Sequence, residues 1–104
     1  MFAVIYRWWV KPGREEQFIA GWQRCSSGIR ERFGSYGSRL HRTDGGLFVA
    51  YGRWPAAEAR EPYRAQLDFD PVSFAMMRDS TACELPETRM YIVRDLLDEP
   101  EGED

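Results

Sequence analysis

The stretch Phe2-Ala3-Val4-Ile5-Tyr6-Arg7-Trp8-Trp9-Val10 carries large apolar side chains without a break, and this limits what the chain can become. In a strand, successive side chains point to opposite faces. Phe2, Val4, Tyr6, Trp8 and Val10 therefore share one face, while Ala3, Ile5 and Trp9 share the other. A strand of one isolated antiparallel sheet alternates apolar with polar residues, whereas this one needs cover on both sides. A chain of 104 residues holds too little helix to cover both faces of a sheet. The pattern points to a homodimer in which a second copy closes one of them.

The length fits one domain that can bury a core without disulfides or a structural metal. Aromatics make up 14% of it, including Trp8, Trp9, Trp22 and Trp54, which suits either a dimer interface or an apolar pocket. The formal charge of −3 is concentrated in Asp98, Glu99, Glu101, Glu103 and Asp104, and without those five the remainder carries +2. The expected organisation is a domain over 1–97 and an acidic, disordered tail over 98–104. The arginines are scattered among acids with no basic run, which argues against a nucleic-acid partner. Cys25 and Cys83 have no metal or redox spacing, and His41 is the single histidine, so no protein-built metal site is expected. No leader pattern and no apolar run of bilayer length is present, so the expectation is a cytoplasmic protein with free thiols and no membrane partner.

Periodicity sets the element order. After the first strand, Lys11-Pro12-Gly13 makes a stop. Phe18, Trp22, Cys25, Ile29 and Phe33 then recur at helical spacing over 14–33, with Glu15 and Glu16 in the first turn. Gly28 in that helix marks a bend or a close contact with the sheet. Gly34 ends it, and a strand over 37–43, a turn at Asp44-Gly45-Gly46 and a strand over 47–54 follow. Pro55 opens a helix over 56–66, a loop spans 68–71, a short helical piece runs to Ser80, and a last strand covers 87–97. The order βαββαβ predicts an α+β, ferredoxin-like antiparallel sheet with helices on one face.

The phrases Val10-Lys11-Pro12-Gly13, Arg14-Glu15-Glu16-Gln17-Phe18, Gly37-Ser38-Arg39-Leu40-His41-Arg42 and Tyr51-Gly52-Arg53-Trp54-Pro55 together resemble the antibiotic biosynthesis monooxygenase family, over about residues 1–97. The resemblance implies that two such subunits pack sheet against sheet as a dimeric α+β barrel. It also implies oxidation of a small phenolic or quinol-like substrate by oxygen, with no metal, flavin or other cofactor. In that chemistry the substrate supplies the electrons, so a site must favour its electron-rich anion and exclude water. Such a site needs an apolar wall, a partner for the phenolate oxygen and a proton acceptor.

Trp54 matches the family's tryptophan at the end of the third strand and is expected as a pocket wall; the alternative is core packing. Tyr63, on the second helix, can aim its hydroxyl into the same cleft or pack against a distorted turn after Pro62. His41 is the default base near neutral pH, although a lone strand histidine flanked by Arg39 and Arg42 also reads as a surface or interface residue. Arg53 can neutralise an anionic oxygen or form an ordinary salt bridge, and Tyr6 and Tyr51 can line the site or pack at the dimer seam. Haem-degrading relatives of the same superfamily carry a histidine near the place of Tyr63 and an asparagine on the first strand. This sequence has no asparagine anywhere, which disfavours haem degradation. A non-catalytic dimeric module binding a small apolar molecule, and an isomerase or lyase, stand as the alternatives to the oxygenase.

Overall fold

The computed structural model describes residues 1–97; the acidic segment expected as a disordered tail lies outside the described residues. The elements are β1 (Phe2–Val10), α1 (Glu15–Phe33), β2 (Gly37–Arg42), β3 (Phe48–Trp54), a 3-10 turn (Ala57–Arg60), α2 (Glu61–Arg64), α3 (Pro71–Ser80), β4 (Thr81–Glu84) and β5 (Thr88–Tyr91). β1 sits in the middle of one antiparallel sheet. β3 pairs along one side of it, from Phe2 opposite Trp54 to Trp8 opposite Phe48, and β2 lies beyond β3. The other side of β1 is shared by β5, opposite Phe2 to Ile5, and β4, opposite Trp8 to Val10. The expected α+β ferredoxin-like order is therefore present, with two short strands in the place of the last one.

Strand alternation decides what the helices cover. Phe2, Val4 and Trp8 of β1 and Phe48, Ala50 and Trp54 of β3 are buried on the helix side, joined there by Phe18 of α1. Phe18 meets the Trp8 ring edge-on with centroids 5.1 Å apart and the Phe48 ring at 5.3 Å. Fully burying a side chain of this size contributes roughly 1.5–3 kcal/mol, so these few residues dominate the core. Tyr6 packs against both halves of that core. On the outer face Ala3 is also buried, and Ile92, Arg94, Asp95, Leu96 and Leu97 line a shallow hollow beside it. Trp9 is 43% exposed there, and Ile5 and Val49 are half-buried.

Three expectations change. The last strand is not continuous over 87–97: pairing reaches Glu84 in β4, resumes at Thr88, and ends at Tyr91. Between those points β1 advances from Trp8 to Ile5 while the partner spends one residue more, so Leu85-Pro86-Glu87 forms a bulge at which Pro86 has no N–H for the ladder. Arg7 braces this bulge, its Nη2 donating to the Pro86 carbonyl at 3.2 Å and to Thr88 Oγ1 at 2.8 Å. The second helix breaks into the 3-10 turn and the four-residue α2, because Pro62 removes a backbone donor inside the run. Gly28 makes its close contact with the Phe69 ring rather than with the sheet: a Cβ there would lie 2.7 Å from that ring. Among the described residues no helix is long and apolar enough to cross a membrane.

Gly21 is where α1 and α3 approach closely. A Cβ there would stand 2.9 Å from Met76 Cβ and 3.2 Å from the Met77 backbone nitrogen. Gly21→Ala gains about 1 kcal/mol of helix propensity but must push α3 away, an overpacking cost of typically 1–3 kcal/mol. The expected outcome is a net loss of about 1 kcal/mol in urea unfolding, and a stabilised variant would show that the helices are not in contact at this point.

Candidate functional site

Between the sheet and the helices lies a cavity of about 580 Å³, within the range of small-molecule sites. Its sheet wall is Tyr6, Trp8 and Trp54, and α1, α2 and α3 contribute Trp22, Tyr63 and Phe74 among others. The hollow exists because the sheet is bare beneath it. Gly52 of β3 pairs with Ser38 of β2 on the helix side, so two neighbouring positions there put almost no side chain into the space. Trp54 and Tyr63 stack at one end, with centroids 6.1 Å apart and planes at 23°, and Tyr6 stacks on Trp8 at 5.9 Å and 14°. The rings thus offer flat apolar walls, and two phenolic hydroxyls supply polarity among them.

Burial controls the protons at this site. It raises the pKa of Tyr6, opposed by the nearby Arg60 charge, and it raises that of Tyr63, with Tyr6 and Cys25 adding to the effect. Both tyrosines stay neutral near pH 7 and act as hydrogen-bond donors. The Cys25 thiol, also on the cavity wall, is pushed up to about 11 by burial, with a bond to Ser73 opposing.

Arg60 organises the Tyr6 end. It is 4% exposed, and its Nη2 donates to the Tyr6 hydroxyl at 2.8 Å and to the Glu87 carboxylate, with Nη1 3.5 Å from the other Glu87 oxygen. Burial alone would lower the Arg60 pKa, but the bonds to Glu87 and Tyr6 outweigh it and the guanidinium stays charged. Its Nε has no hydrogen-bond partner among the described residues. Because Tyr6 accepts from Arg60, its own O–H remains for another acceptor. The bulge after β4 brings Glu87 to the helix side, where it meets Arg60.

Strand alternation splits the six residues singled out from sequence. Tyr6, Trp54 and Tyr63 line this cavity together. His41, Tyr51 and Arg53 do not reach it: β2 and β3 turn them to the outer face, Arg53 opposite Ala3 and Tyr51 opposite Ile5. The shared site expected for Arg53 and Trp54 is thereby corrected, since adjacent strand residues point to opposite faces. His41 is exposed, with Nδ1 3.0 Å from the Val49 carbonyl. Sequence reasoning missed Arg60 and Glu87, which depend on the bulge, and it missed Trp22 as a wall although its place on the apolar stripe of α1 was a usable signal. Among the described residues no group of three or more His, Cys, Asp or Glu side chains is placed to hold a metal ion.

The chain has the fold of antibiotic biosynthesis monooxygenase structures. SnoaB, a cofactor-independent oxygenase from Streptomyces nogalater, superposes with a TM-score of 0.76 at 15% identity, covering 93% of this chain and 97% of that one. Rv0793 from Mycobacterium tuberculosis gives 0.74 at 18% identity, covering 92% and 98%. An antibiotic biosynthesis monooxygenase structure gives 0.72 at 18% identity, covering 90% and 100%. No family sequence profile matches the chain, and no curated protein is similar to it in sequence.

The Cys25 environment makes a reactivity prediction. A thiol with a pKa of about 11 is ionised in only about one molecule in a thousand at pH 8, and the thiolate is the reactive form. Iodoacetamide at pH 8 should label the exposed Cys83 and leave Cys25 unmodified, with the Cys25 rate rising about tenfold per pH unit toward its pKa. Mass spectrometry of the two peptides checks this, and equal labelling at pH 8 would contradict the burial of Cys25.

Proposed function

We propose that the chain is a cofactor-independent monooxygenase that holds a small electron-rich phenol or quinol in the cavity between sheet and helices. The observation that carries this reading is the cavity wall itself: the indoles of Trp8, Trp22 and Trp54 beside the hydroxyls of Tyr6 and Tyr63. The fold shared with SnoaB supports it. A planar aromatic fits between such walls, and its oxygen takes a hydrogen bond from a neutral tyrosine. Arg60 holds Tyr6 in place and leaves its proton directed to that oxygen.

In the proposed reaction a phenol and O₂ give a quinone and water. One oxygen atom enters the ring and the other leaves as water, and all four electrons come from the substrate. The residues ease this by stabilising the phenolate and by excluding water from the aromatic walls. No histidine lines the cavity, and its tyrosines and Cys25 thiol are held protonated. The anion therefore arises from the substrate's own acidity under the pull of the Tyr6 and Tyr63 donors, with the exposed Glu84 as the carboxylate at the cavity rim to take the proton.

The placement of His41 outside the cavity favours a second reading, a non-catalytic module that binds a small apolar molecule there. An isomerase or lyase gains no such support, since it needs a base held against the substrate and Glu84 stands exposed at the rim. In either reading the chain is a homodimer closed over the outer face, where Ile5, Trp9 and Val49 form an apolar surface.

Oxygen uptake with a panel of phenols and hydroquinones separates the two readings. Turnover is expected. Tyr6→Phe should lower kcat/KM by about 10- to 100-fold, the value of a hydrogen bond to a charged oxygen. Trp54→Ala should weaken binding, and His41→Ala should leave the rate unchanged. Quenching of tryptophan fluorescence by phenols with no oxygen consumed would give the binding module. For the dimer, sedimentation should show two copies for the native chain and one for Ile5→Glu, which places a charge in the apolar surface; a monomeric native chain would remove that part of the proposal.

A further inference from the structure

Arg53, the cation expected from sequence beside an anionic substrate oxygen, is turned to the outer face, so a positive charge for such an oxygen has to come from another element. Arg64 and Arg78 line the helix-side cavity, and Arg60 holds the Tyr6 hydroxyl. Two of these three are already matched, Arg60 by Glu87 and Arg78 by Asp79 at 3.7 Å. Arg64 forms no ion pair or hydrogen bond among the described residues. We propose that the Arg64 guanidinium binds the anionic oxygen of a phenol in the cavity, so that the site selects the phenolate over the neutral phenol. This rests on the reading of the cavity as a phenol site and not on the reaction with O₂.

The placement of Arg64 suits that role. It follows Tyr63 directly on α2, and both line the cavity, Tyr63 buried and Arg64 exposed. One short helix thus presents a hydroxyl donor inside the cavity and a mobile guanidinium at its mouth. Burial is the main influence on the Tyr6 and Tyr63 protons, and among the smaller opposing ones the Arg64 charge favours the ionised form of both. A cation felt at both hydroxyls is felt as well by an anion hydrogen-bonded to them. The other titratable groups on the wall do not supply this charge. Cys25 of α1 is held protonated by burial, Cys83 of β4 is a free thiol, and Glu84 of β4 is a carboxylate at the exposed rim.

The same desolvation that keeps Tyr6 and Tyr63 protonated acts on a phenol bound between their rings, and it favours the neutral ligand. The two hydroxyl donors offset part of that cost. A guanidinium adds a charge-assisted hydrogen bond that a neutral phenol does not receive in full, so its contribution falls on the anion. Because Arg64 is exposed, solvent screens it and the effect is moderate rather than large.

Titration of 4-nitrophenol into the native chain and into Arg64→Gln, Arg64→Lys and Arg78→Gln tests this. Quenching of tryptophan fluorescence reads binding, and the visible absorbance of the nitrophenolate reads ionisation of the bound ligand. The pKa of the bound phenol is expected to be higher in Arg64→Gln than in the native chain by about one unit. Equivalently, affinity measured well above the ligand's own pKa should fall about tenfold, while affinity well below it stays the same. Arg64→Lys, which keeps the charge, should retain most of the native preference. An equal loss at both pH values would make Arg64 a structural residue and overturn the inference. So would an unchanged bound pKa in Arg64→Gln, or a rise seen in Arg78→Gln instead. Failure of the native chain to bind the neutral phenol would be a different result, overturning the reading of the cavity as a phenol site and this inference with it.

Discussion

The pairing of β1 with β3 over seven consecutive residue pairs fixes nearly everything else in this molecule. Once Phe2 lies opposite Trp54 and Trp8 opposite Phe48, alternation assigns every side chain of both strands to a face, and a slip of one residue would exchange them all. The register is held by burial, since Phe2, Val4, Trp8, Phe48 and Trp54 would leave the core together in any such slip. The same alternation gives the sheet two unlike surfaces. Aromatic walls and phenolic hydroxyls lie under the helices, whereas the opposite side mixes apolar residues near its centre with arginines toward β2.

Within the helix-side cavity the physical chemistry runs toward donors rather than bases. Desolvation disfavours the charged forms of Tyr6, Tyr63 and Cys25, so each keeps its proton at neutral pH. The Arg60 guanidinium next to Tyr6 is matched by Glu87 and spends a hydrogen bond on the Tyr6 oxygen. Removing Glu87 would leave a nearly buried cation uncompensated, which is the costly way to break such a pair. The bulge that brings Glu87 to Arg60 is therefore tied to the site through one ion pair and one hydrogen bond.

Much of the architecture was legible because it rests on period and punctuation. The doubly apolar first strand, the helical stripe from Phe18 to Phe33, the Asp44-Gly45-Gly46 turn and the closing Trp54-Pro55 each have a local cause, and each stands where sequence places it. What failed depends on tertiary contact. Nothing local signals that Leu85-Pro86-Glu87 is a bulge between two strands paired to β1, so the sequence carries no sign of the break at Pro86 or of the pairing of Glu87 with Arg60. For the site, Tyr6, Trp54 and Tyr63 come together, but chemistry alone selected His41 and Arg53. Alternation, applied to Arg53 beside Trp54, would already have placed those two on opposite faces.

Sharing a fold with an oxygenase does not by itself give oxygenase chemistry, because one scaffold carries many functions and the site decides. Here the site sets narrow terms. With no imidazole facing the cavity and Tyr6, Tyr63 and Cys25 held protonated, the carboxylate on its wall among the described residues is Glu84, exposed at the rim rather than held against a weakly acidic carbon inside. A substrate whose own hydroxyl ionises readily needs only stabilisation of the resulting anion, which two neutral tyrosine donors in a desolvated space provide. Phenols and quinols meet that condition, and their anions are also the species that give electrons to oxygen most easily. A cavity whose carboxylate, Glu84, stands at the exposed rim is compatible with oxidation by O₂ because the acidity and the electrons both reside in the substrate.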